Sequence, residues 1–232
     1  MDSEDEDIIK ENKDDAAYMK YADEEEIDEF FSAKIALTNS DVANLLMQHG
    51  IHIEECELSD LYHHGFSNLK MDRWYLVFCP EHERNPSHWI SVLVTMDEES
   101  SGEPIVLVFD SFGRHIEDVF KEHGYKEDML DEESFITVTG NYQGAISQVC
   151  GYYQCMFAYL YANVKQHIEV FQSILNLLLI EVEEKTTRSD DIGLITFNND
   201  KITTYVFSKA FDTSNLSPII NKILQVRHRL TN

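Results

Sequence analysis

Cys150-Gly-Tyr-Tyr-Gln-Cys-Met-Phe-Ala-Tyr-Leu-Tyr-Ala-Asn-Val164 contains neither a charged residue nor a proline. Met156, Phe157 and Leu160 are spaced for one helical face, and the remaining positions are almost as apolar. The stretch therefore predicts a buried helix over Gly151–Val164. Upstream lie four short runs rich in β-branched and aromatic residues, Trp74–Cys79, Trp89–Thr95, Ile105–Phe109 and Phe135–Thr139, each bounded by turn formers. Asp97-Glu-Glu-Ser-Ser-Gly102 reads as the hairpin loop between the second and third runs. A helix, several strands and then helices imply an α+β domain: a mixed, largely antiparallel sheet packed against a central helix.

The flanks are read in the same way. Thr38-Asn-Ser-Asp41 offers an N-cap to a helix over Val42–His49, which Gly50 stops. A loop carrying His63-His64-Gly65 follows. Ile116–His123 reads as a surface helix ended by Gly124, and Ile168, Phe171, Ile174, Leu175, Leu178 and Val182 mark an amphipathic helix. Residues 190–232 suggest a hairpin around Asn198-Asn-Asp200 and a last short helix near Ile219–Leu230.

Charge divides the chain. Residues 1–29 hold 14 acidic side chains against three lysines, out of a net charge of −25. Such a block cannot bury enough apolar surface to offset its ordering and reads as a solvated tail, leaving 30–232 as one domain. The overall acidity argues against nucleic acid as a partner. The longest apolar run, Ile174–Ile180, is far shorter than a membrane helix. The first residues lack the basic and apolar regions of a secretory signal. Four cysteines without a CxxC pair or a dense framework fit a reducing intracellular compartment, which also keeps a thiol reactive.

Three residues in strand-edge and helix-start settings carry chemistry. Cys150 stands where a polar loop becomes the buried helix, so free N–H groups and the helix dipole favour its thiolate. His88 precedes one strand and Asp110 follows the next. If those strands are antiparallel neighbours, both residues reach the same sheet edge, where the imidazole can take the thiol proton and the carboxylate can fix its tautomer. Gln143, seven residues before Cys150, offers a side-chain N–H to a tetrahedral oxyanion. Each residue alone also has an ordinary reading: a core thiol, a satisfied strand-end histidine, a turn aspartate.

Together the blocks Ser87-His88-Trp89, Val108-Phe-Asp110-Ser-Phe-Gly113 and Gln143-x6-Cys150-Gly-Tyr-Tyr153-x-Cys155-Met-Phe157 resemble the adenovirus protease (adenain) family, including the proteases of Maverick/Polinton-type elements. The similarity runs from about Leu37 to Asn163. It implies a cysteine endopeptidase with Cys150 as nucleophile on the central helix, His88 as general base, Asp110 as orienting acid and Gln143 in the oxyanion hole. No cofactor is expected, and the resemblance implies as partners structural precursor proteins of a virus or mobile element, processed in the host cytoplasm or nucleus or in the virion. The adenovirus member has Glu at the acid position, where this chain has Asp110. That member is activated by a disulfide-linked peptide and by DNA. Here Glu132 falls near the position of the linking cysteine, so a different activation is expected.

Two alternatives stand beside this reading. Ubiquitin-like-modifier (SUMO-type) proteases share the order His, Asp, Gln, Cys, but tend to place Asp before the cysteine and the glutamine one residue closer. Val149 and the seven-residue spacing favour the adenain-like assignment. The other alternative is a non-catalytic acidic interaction protein on the same fold. The histidines around Cys79 match no tight zinc spacing.

Overall fold

The structure is a computed structural model that describes residues 36–82, 87–96, 104–125, 135–138, 140–145, 147–164, 167–183 and 188–210. The acidic tail, the 97–102 loop, Glu132 and the Ile219–Leu230 helix expected from the sequence lie outside the described residues.

Among the described residues five strands form one sheet in chain order: β1 (Ile53–Glu57), β2 (Arg73–Cys79), β3 (His88–Met96), β4 (Pro104–Phe109) and β5 (Phe135–Thr137). The centre is antiparallel, β2 with β3 and β3 with β4, and both edges are parallel. Parallel neighbours need a crossover. Helix α2 (Leu58–His64) supplies it between β1 and β2, and α3 (Ile116–Glu122) lies between β4 and β5. The chain forms the expected α+β class with a mixed sheet, in which two strand pairings are antiparallel and two parallel.

Strand periodicity sorts side chains to two faces. Trp74, Leu76, Leu93, Ile105, Leu107 and Phe109 face a large core shared with α1 (Asn39–Met47), α4 (Cys150–Asn163) and α5 (Ile168–Leu178). Tyr75, Val77, Val92, Val94, Val106 and Val108 face a second core closed by α2 and α3. The sheet is therefore covered on both sides. Helix α4 is buried nearly all round, which explains its uniformly apolar sequence. Deleting a fully buried ring such as Phe157 would cost about 3–5 kcal/mol.

Local chemistry accounts for the ends of α1. The Asp41 N–H donates to the Thr38 hydroxyl, and the Asp41 carboxylate accepts from the Thr38 N–H, a complete capping box. Gly50 follows with φ +73°.

Two expectations are corrected. The segment expected as a loop around His63–His64 contains β1 and α2. Strand β1 carries three glutamates in five residues, which suits an exposed edge but masks its strand character. The hairpin expected around Asn198-Asn-Asp200 is instead the middle of helix α6 (Ser189–Ala210). Thr196, Asn199, Asp200, Thr203 and Thr204 are buried at helical spacing, so this face is polar and hydrophobic periodicity does not reveal it. Among the described residues no helix is long and apolar enough to cross a membrane.

Candidate active site

The antiparallel register sets Ser91 opposite Phe109. Following the two strands outward brings His88, the first residue of β3, and Asp110, just past β4, to one end of the sheet. His88 Nε2 lies 2.8 Å from Asp110 Oδ1, and both residues are buried. The geometry inferred from strand order is therefore present. Phe109 anchors the end of β4, its ring meeting Tyr161 and Phe171 edge-on at 5.6 Å each.

Asp110 is heavily engaged. Its Oδ1 also accepts from the Phe112 N–H at 2.9 Å, and its Oδ2 accepts from Arg114 Nε at 2.9 Å. Burial alone would raise the carboxyl pKa, but the His88 charge and hydrogen bond, the Arg114 charge and the Phe112 N–H hold it below the ordinary value. The carboxylate is therefore ionised and accepts the His88 Nε2–H. Arg114 also donates through Nη1 to Glu122 at 2.9 Å. The Phe112 ring stacks on the imidazole at 4.2 Å. The turn that delivers these groups needs glycine at its end. Gly113 has φ +67°, and a Cβ there would come within 2.7 Å of the Asn141 nitrogen.

Cys150 is the first residue of α4 and is half-buried. Its thiol hydrogen-bonds to His88. Asp110 occupies Nε2, which leaves Nδ1 for the sulfur. Burial would raise the thiol pKa, but the His88 hydrogen bond and charge, with backbone hydrogen bonds from Trp89 and Gly151, hold it below the ordinary thiol value. For His88, burial would lower the pKa, but the charge and hydrogen bond of Asp110, with those of Cys150, hold it above the ordinary imidazole value. The buried Gln154 side chain of α4 donates to the Trp89 carbonyl at 2.8 Å, tying the helix that begins with Cys150 to the strand that carries His88. Gly151 lets the chain before α1 approach this first turn, since a Cβ would meet Leu37 Cβ at 2.9 Å.

Gln143 is also buried at this end of the sheet. The Ser111 carbonyl accepts from the Tyr142 and Gln143 N–H groups at 2.9 and 3.1 Å, and the Ser111 hydroxyl donates to Gln143 Oε1 at 2.5 Å. The Gln143 amide then donates one Nε2–H to the Ser147 carbonyl at 2.9 Å. Because a primary amide has two such hydrogens, this leaves the second for a further acceptor.

The structure thus joins His88, Asp110 and Cys150 in one hydrogen-bonded chain and orients the Gln143 amide through Ser111, the neighbour of Asp110. Sequence reading missed Ser111 and Arg114. Both sit in a stretch that reads as a plain turn, where spacing along the chain gives no signal for either role. The remaining cysteines differ in kind. Burial pushes the Cys79 and Cys155 thiols far above the ordinary value, which makes both inert. Among the described residues no group of three or more His, Cys, Asp or Glu is placed to hold a metal ion.

No family model matches the chain, and no curated protein matches it. What the site can do chemically therefore rests on its geometry: a polarised thiol, an imidazole backed by a buried carboxylate, and an oriented amide.

Proposed function

We propose that the chain is a cysteine endopeptidase in which Cys150 attacks a peptide carbonyl, with structural precursor proteins of a virus or mobile element as its substrates. The observation that carries the reading is the single imidazole set between a buried, ionised Asp110 and the lowered thiol of Cys150. Burial opposes both charges, and their combination supports chemistry over simple packing.

In the proposed cycle His88 holds the proton of the Cys150 thiol, and the thiolate adds to the carbonyl carbon. The oxygen gains negative charge, which the Cys150 N–H and the second Nε2–H of Gln143 stabilise. Losing one such donor costs about 2.7–4 kcal/mol of transition-state stabilisation. The C–N bond breaks as His88 passes its proton to the leaving amine, leaving a thioester. Water then attacks the thioester, His88 takes its proton, and the acid is released with the thiol restored. Asp110 keeps Nε2–H directed at itself, so that Nδ1 faces sulfur throughout.

The reading is tested by incubating the full chain and its Cys150→Ala variant with a proteome-derived peptide library and mapping new termini by mass spectrometry. Products that depend on Cys150 are expected, and their absence overturns the proposal. SUMO and ubiquitin fusions run beside the library. Cleavage of the fusions alone would replace the precursor-processing assignment with modifier deconjugation.

A further inference from the structure

We infer that Asn199 and Asp200 of α6 are positioning residues for the oxyanion side of the site, gripping the backbone on both sides of Gln143; the inference rests on the proteolytic reading above. Asn199 Nδ2 donates to the carbonyl of Tyr142, the residue before Gln143, at 3.1 Å. Asp200 Oδ2 accepts from the N–H of Gly144, the residue after it, at 3.4 Å. Two consecutive side chains of one helix thus bracket the glutamine.

Each also holds a second element. Asn199 exchanges hydrogen bonds with the backbone of Ile180, donating to its carbonyl at 2.7 Å and accepting from its N–H at 3.1 Å. Asp200 Oδ1 accepts from the Tyr153 hydroxyl of α4 at 3.0 Å. The grip is therefore referenced to the helix that begins with Cys150. Both side chains are almost fully buried, so leaving their partners unmet is costly. The loop lies directly against α6, because a Cβ on Gly144 would come within 3.1 Å of Asp200 Oδ2 and 3.5 Å of Thr196 Oγ1.

The consequence is a division of labour. The thiol and imidazole are set by α4, β3 and β4, whereas the amide that meets the oxyanion is set by Ser111 on one side and α6 on the other. Loosening α6 should harm reactions that build an oxyanion and spare those that do not. Of these elements only α6 lies outside the Leu37–Asn163 span that carries the family resemblance.

The test compares two reactions of Cys150 in the full chain. Acylation by p-nitrophenyl acetate passes through a tetrahedral oxyanion, while alkylation by iodoacetamide is a direct displacement without one. Asn199→Asp and Asp200→Asn change the grip at nearly constant shape. Each is expected to slow acylation by about tenfold, part of the 10²–10³ attached to a whole oxyanion donor, and to leave alkylation within about twofold. On a Gln143→Ala background the same substitutions should add less than about twofold, since they act through that residue. Parallel losses in both reactions, or a full loss on top of Gln143→Ala, overturn the inference.

Should either variant lack a cooperative thermal transition, Gly144→Ala takes its place. Its Cβ would come within 3.1 Å of Asp200 Oδ2, so the loop and that carboxylate must move apart by a few tenths of an ångström, and unchanged acylation there overturns the inference. Wild-type protein that is alkylated at Cys150 but never acylated would instead overturn the proteolytic reading itself.

Discussion

The Ser111 hydroxyl donates to Gln143 Oε1 at 2.5 Å while the Ser111 carbonyl accepts the Gln143 N–H, so one residue fixes both the backbone and the amide plane of the glutamine. Ser111 is the immediate neighbour of Asp110, and Asp110 and the Gln143 amide are therefore set by a single turn.

Removing the hydroxyl should uncouple them. Ser111→Ala leaves the buried side-chain oxygen Oε1 of Gln143 without its donor, at a cost of about 1–3 kcal/mol, and frees the amide to turn over. We expect kcat for peptide hydrolysis to fall about 10–100-fold with KM little changed, because the lost interaction belongs to the transition state. Steady-state kinetics on a peptide found in the library screen measures this, and a change confined to KM would count against it.

Asp110→Asn should be far more damaging. The carboxylate accepts from His88, Phe112 and Arg114, and an amide cannot accept on both sides. Turning its NH2 toward His88 forces the wrong tautomer, a change that lowers kcat about 10⁴-fold in the serine-protease triad. Turning it toward Arg114 sets two donors face to face. Leaving the part-buried Arg114 cation with Glu122 alone should also lower stability by about 3 kcal/mol. Hydrolysis rates and urea melts would register the two effects separately.

What the sequence made legible follows from signal type. His88 and Asp110 were visible because each borders a run with clear strand character, and antiparallel order then forces them together. Helix α4 was visible because burial on all sides leaves an uninterrupted apolar run. Helix α6 was hidden because its inward face is built from Thr196, Asn199, Asp200 and Thr203, residues whose local preference is for turns and strands. Tertiary hydrogen bonds to Tyr142, Gly144 and Ile180 override that preference. Strand β1 was hidden because an edge position rewards its glutamates. The roles of Ser111 and Arg114 depend on side-chain direction across a turn, which spacing alone does not encode.

The thiol's reactivity should depend on pH in a direction set by His88. Cys150 is held below the ordinary thiol value and His88 above the ordinary imidazole value. Alkylation by iodoacetamide should therefore reach half its maximal rate at a pH below the ordinary thiol value. Removing the imidazole charge in His88→Gln leaves burial to act unopposed by it, so the midpoint should move upward. The same shifts fix the stability signs. The Asp110 contribution is present above the ordinary carboxylate value and fades as pH falls through its lowered folded value. The His88 contribution is complete below the ordinary imidazole value and fades as pH rises through its raised folded value. An alkylation midpoint unchanged between wild type and His88→Gln would contradict the pairing.

Two glycines with similar positive φ separate strain from placement. Gly113 and Gly124 have φ +67° and +77°, so alanine at either is strained by about 1–2 kcal/mol. At Gly124 an added Cβ meets nothing within 4 Å, whereas at Gly113 it comes within 2.7 Å of the Asn141 nitrogen and 2.8 Å of the Gly140 carbonyl carbon. Those atoms are backbone and cannot step aside cheaply. Gly124→Ala should lower the melting temperature and leave peptide hydrolysis intact. Gly113→Ala should lower both, because relieving the clash pulls the Asp110–Gly113 turn from the Asn141–Gln143 segment and misaligns acid and amide at once. Matched melts and hydrolysis rates for the two variants decide the matter. Equal activity in both would mean that this turn is not what holds the site together.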